Sequence, residues 1–406
     1  MSKPLFCASV VLVVLFSFLF VGSVGASSEV IWSQTYGTLV NDSANAIIQT
    51  SDRGYALAGY TRSPGAGSFD FWLVKTDAYG NMEWNQTYRG ASNEEAYGLI
   101  ETSDGGYVLA GCGLLVKTDK FGNMEWNQTI GGSIRAVVES SGGYTLAGWT
   151  TSFGAGEGDF WLIKTDARGN VDWNQTYGGA EYDRAFSLIV TSDGGYALAG
   201  QTLSFGSRET NHWDFLLIKT DADGNMEWYQ TYGSTRDERA NVVVETSDGG
   251  YSLAGYTAFL NPEIGIVSDF WLVKTDASGN MEWNQTYSGG EAYGMVETLD
   301  GGFALAGGAR LVKTDKFGCM EWNQTYEEGL AYSLVACLDG GYALAGMHYN
   351  STASPDDLDQ DFWLAKTDEH GFIPEFPVWA VLPIFLATTF TVIVYKQKLT
   401  KNQIRN

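Results

Sequence analysis

The chain has 406 residues, with 48 acidic against 24 basic side chains, 50 glycines and 14% aromatic residues. Its formal net charge of −24 argues against nucleic acid as a partner, because phosphate backbones demand a basic surface. Many glycines, many rings and only 7 prolines suit short strands stacked on large side chains and joined by tight turns.

The first segment, residues 1–26, reads as a secretory signal. Lys3 precedes an apolar run from Leu5 to Val21, and the small residues Gly22 to Ala26 offer a cleavage point. An uncleaved anchor is the alternative. A short run follows, Ile31-Trp-Ser-Gln-Thr-Tyr36, which returns as the last part of a longer repeat.

Seven copies of that repeat fill residues 27–370. The marker tryptophans Trp32, Trp84, Trp126, Trp173, Trp228, Trp283 and Trp322 recur about every 48 residues, a period in the range of propeller blades. Each copy holds four strand-like runs. Ser-Asp-Gly-Gly, as at Ser192 to Gly195, joins the first two with a tight primed turn. Asp-x-x-Gly-Asn, as at Asp77 to Asn81, joins the last two. Runs such as Asp269-Phe-Trp-Leu-Val-Lys-Thr275 are too aromatic and aliphatic for exposed loops. Strands one to three occur seven times, ending at Thr367, and nothing beyond Asp368 resembles the fourth. The missing copy is the one at Ile31–Tyr36. The expected fold is all-β: a seven-bladed propeller of four-stranded antiparallel blades, closed when the N-terminal strand joins the last blade and covers its edge.

After a linker at residues 371–377 comes an uncharged run, 378–395, of 18 residues, about 27 Å as a helix. Lys396, Lys398, Lys401 and Arg405 follow it, so the positive-inside rule places tail 396–406 in the cytoplasm and the propeller outside. Cys7 lies in the signal segment. Cys112, Cys319 and Cys337 are scattered over different blades without metal spacing and read as buried thiols.

Three resemblances follow from these motifs. Pro374-Glu-Phe-Pro377, the apolar run and the basic tail resemble the PEF-type C-terminal sorting signals of archaeal surface proteins, which implies a tail exchanged for another anchor; otherwise the run is a plain membrane anchor. The Asp-Gly-Gly-Tyr and Trp-Asn-Gln-Thr repeats resemble those of archaeal and bacterial secreted propeller proteins. They are also distantly similar to quinoprotein-type repeats, in which a glycine turn precedes a docking tryptophan. Both likenesses imply fold rather than activity.

With strand one innermost, both hairpin turns fall on one face of the ring, and the varied connections, such as Leu203 to Trp213 and Ala258 to Val267, fall on the other. The hairpin face reads as monotonous and membrane-facing, and the varied loops as the recognition surface. Acids including Glu94, Glu95, Glu181, Asp183, Asp237 and Glu238 map to that outward face and make it acidic. Arg184 and Arg239 open strand one in neighbouring blades. Each reads first as a local salt bridge to the preceding acid, Asp183 or Glu238; the sharper reading is that together they grip an anionic group at the channel mouth. His212 and Trp213 close the Leu203–Trp213 loop and join the ligand-binding candidates. Asp221 to Asn225 has a calcium-loop flavour but lacks the twelve-residue ligand pattern, and reads as a turn.

Seven Asn-x-Ser/Thr sequons occur; Asn41 and Asn350, in loops, are the better glycosylation candidates, because Asn85, Asn127, Asn174, Asn284 and Asn323 recur with the repeat. No catalytic constellation, metal spacing or cofactor motif emerges. The expected function is a non-enzymatic binding, adhesion or scaffold module at the cell surface, anchored in the membrane and engaging a cell-envelope glycan or surface protein. A glycan-acting hydrolase or a quinoprotein-like oxidoreductase is the alternative, and would need a non-repeating polar cluster at the channel mouth.

Overall fold

A computed structural model describes residues 32–37, 41–62, 69–90, 93–206, 212–263, 265–327, 329–349 and 360–373. The signal segment, the Pro-Glu-Phe-Pro linker, the apolar run and the basic tail lie outside the described residues. Among those described, no helix is long and apolar enough to cross a membrane.

The strands form seven four-stranded antiparallel sheets. In the order of the chain the blades are 42–88, 98–129, 133–177, 183–232, 237–288 and 294–325, and the seventh joins 330–366 to Trp32–Tyr36. First strands of neighbouring blades touch all the way round, including the last blade against the first, so the ring is closed and strand one is innermost. The N-terminal strand pairs as the outer strand of blade 7, from Trp32 opposite Lys366 to Tyr36 opposite Phe362. That is the closure the missing repeat copy implied.

The repeat sequence follows from these layers. Strands two and three are covered on both sides, and Tyr55–Thr61 and Asp70–Thr76 are buried almost throughout. Strand four faces solvent on its outer side, which accounts for the alternating exposure of Met82–Tyr88. In five blades strand one carries a bulge, as between Ala44 and Ala46 or Ala185 and Ser187. The start of strand one also crowds strand two. A Cβ on Gly59 would lie 1.9 Å from the Ser43 carbonyl oxygen, and Gly111, Gly148, Gly200, Gly255, Gly307 and Gly346 meet the same obstacle. Hence each Tyr-Ala-Leu-Ala-Gly run, or its variant, ends in glycine.

Strand four fastens each blade to the next. Trp32 packs edge-on against Tyr55 of blade 1 at 5.8 Å between ring centroids, and Trp84 meets Tyr107 likewise. The Tyr36 hydroxyl donates to the Gly80 carbonyl at 2.6 Å, and Tyr88, Tyr177, Tyr232, Tyr287 and Tyr326 repeat the bond. Gly80 has φ of +76°, and a Cβ there would strike the Trp32 ring at 2.5 Å. Within strand four, Asn85, Asn174 and Asn284 accept from the indole N–H of Trp72, Trp161 and Trp271. These sequon asparagines therefore have a structural duty.

A buried lysine pins the hairpins. Lys75 reaches Asp52 at 2.8 Å and Glu83 at 3.0 Å, and Lys117, Lys219, Lys274 and Lys313 form the same three-way tie. Blade 3 has Ser141 and Gly142 in its hairpin and no aspartate, and burial pulls the Lys164 ammonium below its ordinary value. Burial alone would raise Asp104, but bonds from Thr102, the Gly106 amide and Lys117 hold it at about 2; Asp248 and Asp300 behave alike.

The structure corrects three expectations. Of the cysteines among the described residues, Cys112 and Cys319 are exposed and Cys337 is buried. The stretch from Ala258 to Val267 belongs largely to a β-ribbon, because strands two and three of blade 5 stay paired out to Asn261 opposite Gly265. Glu94, Asp183 and Glu238 are buried, so they do not contribute to an acidic outer face.

Two outcomes are expected. Gly80→Ala should cost at least about 2 kcal/mol, because a left-handed backbone and an overpacked ring contact combine; denaturant unfolding would register it. The depressed hairpin aspartates stabilise the fold fully above their unfolded value of about 4, and that contribution disappears as pH falls through about 2. Melting temperature should fall steeply between those limits, and less steeply in Asp104→Asn.

Candidate functional site at the channel mouth

The first strands of all seven blades line a cavity of about 440 Å³ on the channel axis. One position of each copy, bulged in five blades, supplies Asn45, Tyr97, Arg135, Phe186, Asn241, Tyr293 and Tyr332. A bulge re-aims a side chain and weakens local pairing, and here those side chains turn toward the channel. The rest of the repeat is uniform, yet this position carries amides, rings and a guanidinium.

Three arginines from blades 3, 4 and 5 stand among aromatic rings. The Arg135 guanidinium lies 3.7 Å from the centroid of Tyr97 and 4.8 Å from that of Trp149. Arg184 sits 5.0 Å from Tyr182, 5.5 Å from Trp213 and 5.6 Å from Trp149. Arg239 covers Phe186 at 3.9 Å. Trp149 and Phe186 are themselves 5.6 Å apart, so cations and rings form one continuous stack. The Nε atoms of all three arginines are buried without an acceptor, as is Asn241 Oδ1 without a donor. Asn241 is held by its other end, donating to the Ala292 carbonyl at 2.8 Å, and Asn45 donates likewise to Ala96 at 3.0 Å.

Electrostatics favour an incoming anion. Burial pulls the Arg239 guanidinium below its ordinary value; Tyr256, Tyr293 and Glu291 oppose that shift and the positive charge of Arg135 adds to it. Glu95 and Glu291 stand nearby, but each accepts from a tyrosine, Tyr97 in one case and Tyr293 at 2.6 Å in the other. Burial and that carboxylate push both phenols upward. Burial brings the Tyr332 phenol to about 12. All three tyrosines therefore stay neutral across physiological pH.

Of the sequence candidates, Arg184, Arg239 and Trp213 come together here. His212 stands on the rim, 3.3 Å from Asp237. Asp183 and Glu238 do not belong to the site, and neither forms an ion pair with the arginine after it. Successive residues of a strand point to opposite sides. Asp183 accepts instead from the Gly179 amide at 2.9 Å and from the Thr202 hydroxyl, and Glu238 accepts from Ser234 and Thr257. Burial raises Glu238 against those bonds.

Arg135, Tyr97, Trp149 and Phe186 escaped the sequence reading. Alignment of the seven first strands at their alanine, or at Ile134 in blade 3, exposes the variable position that follows it, and Arg135 falls there. Asn41 is half-buried and its carbonyl accepts from the Arg62 amide; Asn350 lies outside the described residues. Asp221 accepts from Asp223 and Asn225 in its own turn, as Asp166 does from Arg168 and Asn170.

No protein-family model and no curated protein matches the sequence. Solved structures do. The Pan2 WD40 domain of Neurospora crassa matches with a TM-score of 0.54 at 12% identity, over 82% of this chain and 91% of that one. YCF48 bound to D1 peptide gives 0.51 at 14%, over 84% and 97%. Sqt1 from Chaetomium thermophilum gives 0.50 at 11%, over 81% and 87%. At such identities the likeness is one of fold, and it is the propeller fold.

Burying a cation that forms no direct ion pair weakens a fold, and a site that binds often does so at the expense of stability. Arg239→Met should therefore melt at or above the wild-type temperature, whereas Asp183→Asn, which weakens the hold on Gly179 and Thr202, should melt lower. Calorimetry on the two variants checks both directions.

Proposed function

We propose that this propeller is a non-enzymatic binding module displayed at a cell surface. On this reading the chain is exported by residues 1–26, residues 378–395 anchor it, residues 396–406 remain in the cytoplasm, and the loop face looks outward. Its ligand is a cell-envelope glycan or surface protein that presents an anionic group to the channel mouth. The observation that carries the reading is the stack of Arg135, Arg184 and Arg239 among Tyr97, Trp149, Phe186 and Trp213, with three guanidinium Nε donors unused. Guanidinium groups match carboxylates with directed hydrogen bonds, and flanking rings give a sugar or peptide body a surface to lie on.

The test is an array of oligosaccharides and peptides, each acidic member paired with a neutral counterpart, probed with the full chain in detergent. Binding confined to acidic members is expected, together with weakening by salt. Arg135→Met/Arg239→Met should lose about tenfold in affinity or more, equivalent to about 1.4 kcal/mol, while its melting temperature holds. Preference for neutral members, or full binding by the double variant, would overturn the reading.

A further inference from the structure

The hairpin face reads from the repeat as uniform, and the structure shows that it is not. Between strands three and four the third turn residue is Tyr79, Phe121 and Phe317 in blades 1, 2 and 6, but Arg168, Asp223 and Ser278 in blades 3, 4 and 5. In blade 7 the same turn ends in Phe372. These four rings are each more than half exposed. Blades 6, 7, 1 and 2 are consecutive in the closed ring, so the rings occupy one sector.

The inner hairpins single out two of those four blades. Ser51, Ser103, Ser192 and Ser247 each bond a glutamate of the following blade, namely Glu101, Glu139, Glu245 and Glu297. In blades 6 and 7 the serine is replaced by Leu299 and Leu338, of which Leu299 is fully exposed and Leu338 80% exposed. The facing glutamate is replaced as well, by Ala336 and Gln49. Two carboxylates and two serines thus give way to leucines and neutral partners at the centre of the aromatic sector.

Basic residues mark it too. Lys120 and Lys316 hold their ammonium groups 5.0 and 5.1 Å from the rings of Phe121 and Phe317. Arg53 stands at φ +72° in the blade 1 hairpin, where Gly105, Gly194, Gly249 and Gly301 take the left-handed turn in other blades. A non-glycine there strains the backbone. The hairpin aspartates beside these groups, Asp52, Asp104 and Asp300, are tied to buried lysines.

We infer that this sector, carrying Tyr79, Phe121, Phe317, Phe372, Leu299 and Leu338 with Arg53, Lys120 and Lys316, docks on the surface of a lipid bilayer. The occupant follows from where the chain goes. Ile373 packs against the core between blades 6 and 7, inside the sector, and the apolar run 378–395 begins five residues later. Exposed rings, leucines and lysines together form the side-chain set that settles at a membrane interface, with ammonium groups reaching anionic headgroups. The propeller then leans on its anchor along one side, and its loop face is held at a fixed tilt. This inference rests on the anchored reading above.

The experiment uses the full chain in liposomes containing phosphatidylglycerol, with shallow spin-labelled lipid as quencher. A fluorophore is attached to the natural Cys319, two residues from Phe317, in a Cys7→Ser/Cys112→Ser background; in a second protein that also carries Cys319→Ser it is attached through Asn225→Cys, the matching turn position of blade 4. Flotation of the liposomes first reads the anchor. Quenching at 319 should exceed that at 225 by about threefold or more, since interfacial side chains sit only about 5–10 Å deep, and Phe121→Ser/Phe317→Ser/Leu299→Ser/Leu338→Ser should abolish the difference without lowering the melting temperature. Equal quenching in floating protein overturns the docking and leaves the anchor standing. Failure to float overturns both. Shielding at 319 that is independent of lipid, with a dimer that the serine variant dissolves, assigns the sector to a second copy and overturns the bilayer.

Discussion

The clasp between neighbouring blades is the contact on which the ring depends. A tryptophan and a tyrosine from strand four of one blade seat on the hairpins of the next, the first against a ring and a left-handed glycine, the second through a buried hydrogen bond. Each blade alone is a four-stranded sheet with two apolar faces, and such a sheet has no stable existence until both faces are covered. Closure completes that cover. Trp32 and Tyr36 bring the same clasp to the junction of blades 7 and 1 that Trp84 and Tyr88 make at the next, so the ends of the repeat array are held like its middle. Between blades 2 and 3 the tyrosine is replaced by Ile130, and Trp126 still packs against Tyr144 at 6.0 Å.

Once the clasp and the lysine ties hold the outer and hairpin sides, strand one is free to serve the channel. Each blade turns one residue toward the axis, through a bulge in five of them, and a glycine in strand two gives the main chain of strand one room. Scaffold and site are thereby separated. The scaffold residues repeat because they make the same contacts in nearly every blade, whereas the residues turned toward the channel differ from blade to blade in what they meet. Three guanidinium groups gathered in a chain with a net charge of −24 form a local inversion of sign, strengthened by the low dielectric of a half-buried setting.

The two faces differ in what the repeat tolerates. On the loop face, buried carboxylates such as Asp183 and Glu238 accept main-chain or hydroxyl hydrogen bonds and hold the connections, so only part of the acid content there, such as Glu181 and Asp237, reaches the surface. On the hairpin face the turn geometry fixes aspartate and glycine, and leaves single exposed positions open to any residue. Aromatic and leucine residues collect at those positions on one side only.

The number of blades, their four strands, both hairpin types and the closing role of Trp32–Tyr36 were legible in the sequence, because each depends on a local pattern repeated seven times. Arg184, Arg239 and Trp213 were legible as candidates because they break that pattern. Their relation to Asp183 and Glu238 was misread, since adjacency in sequence puts two strand side chains on opposite sides. Arg135, Trp149 and Phe186 joined the site only in three dimensions: residues from separate blades meet where curvature brings first strands together, and a bulge shifts the alternation by one place. The burial of Glu94 and the one-sided array of exposed rings were likewise decided by the ring, because closure determines which blades are neighbours and which side chains are covered.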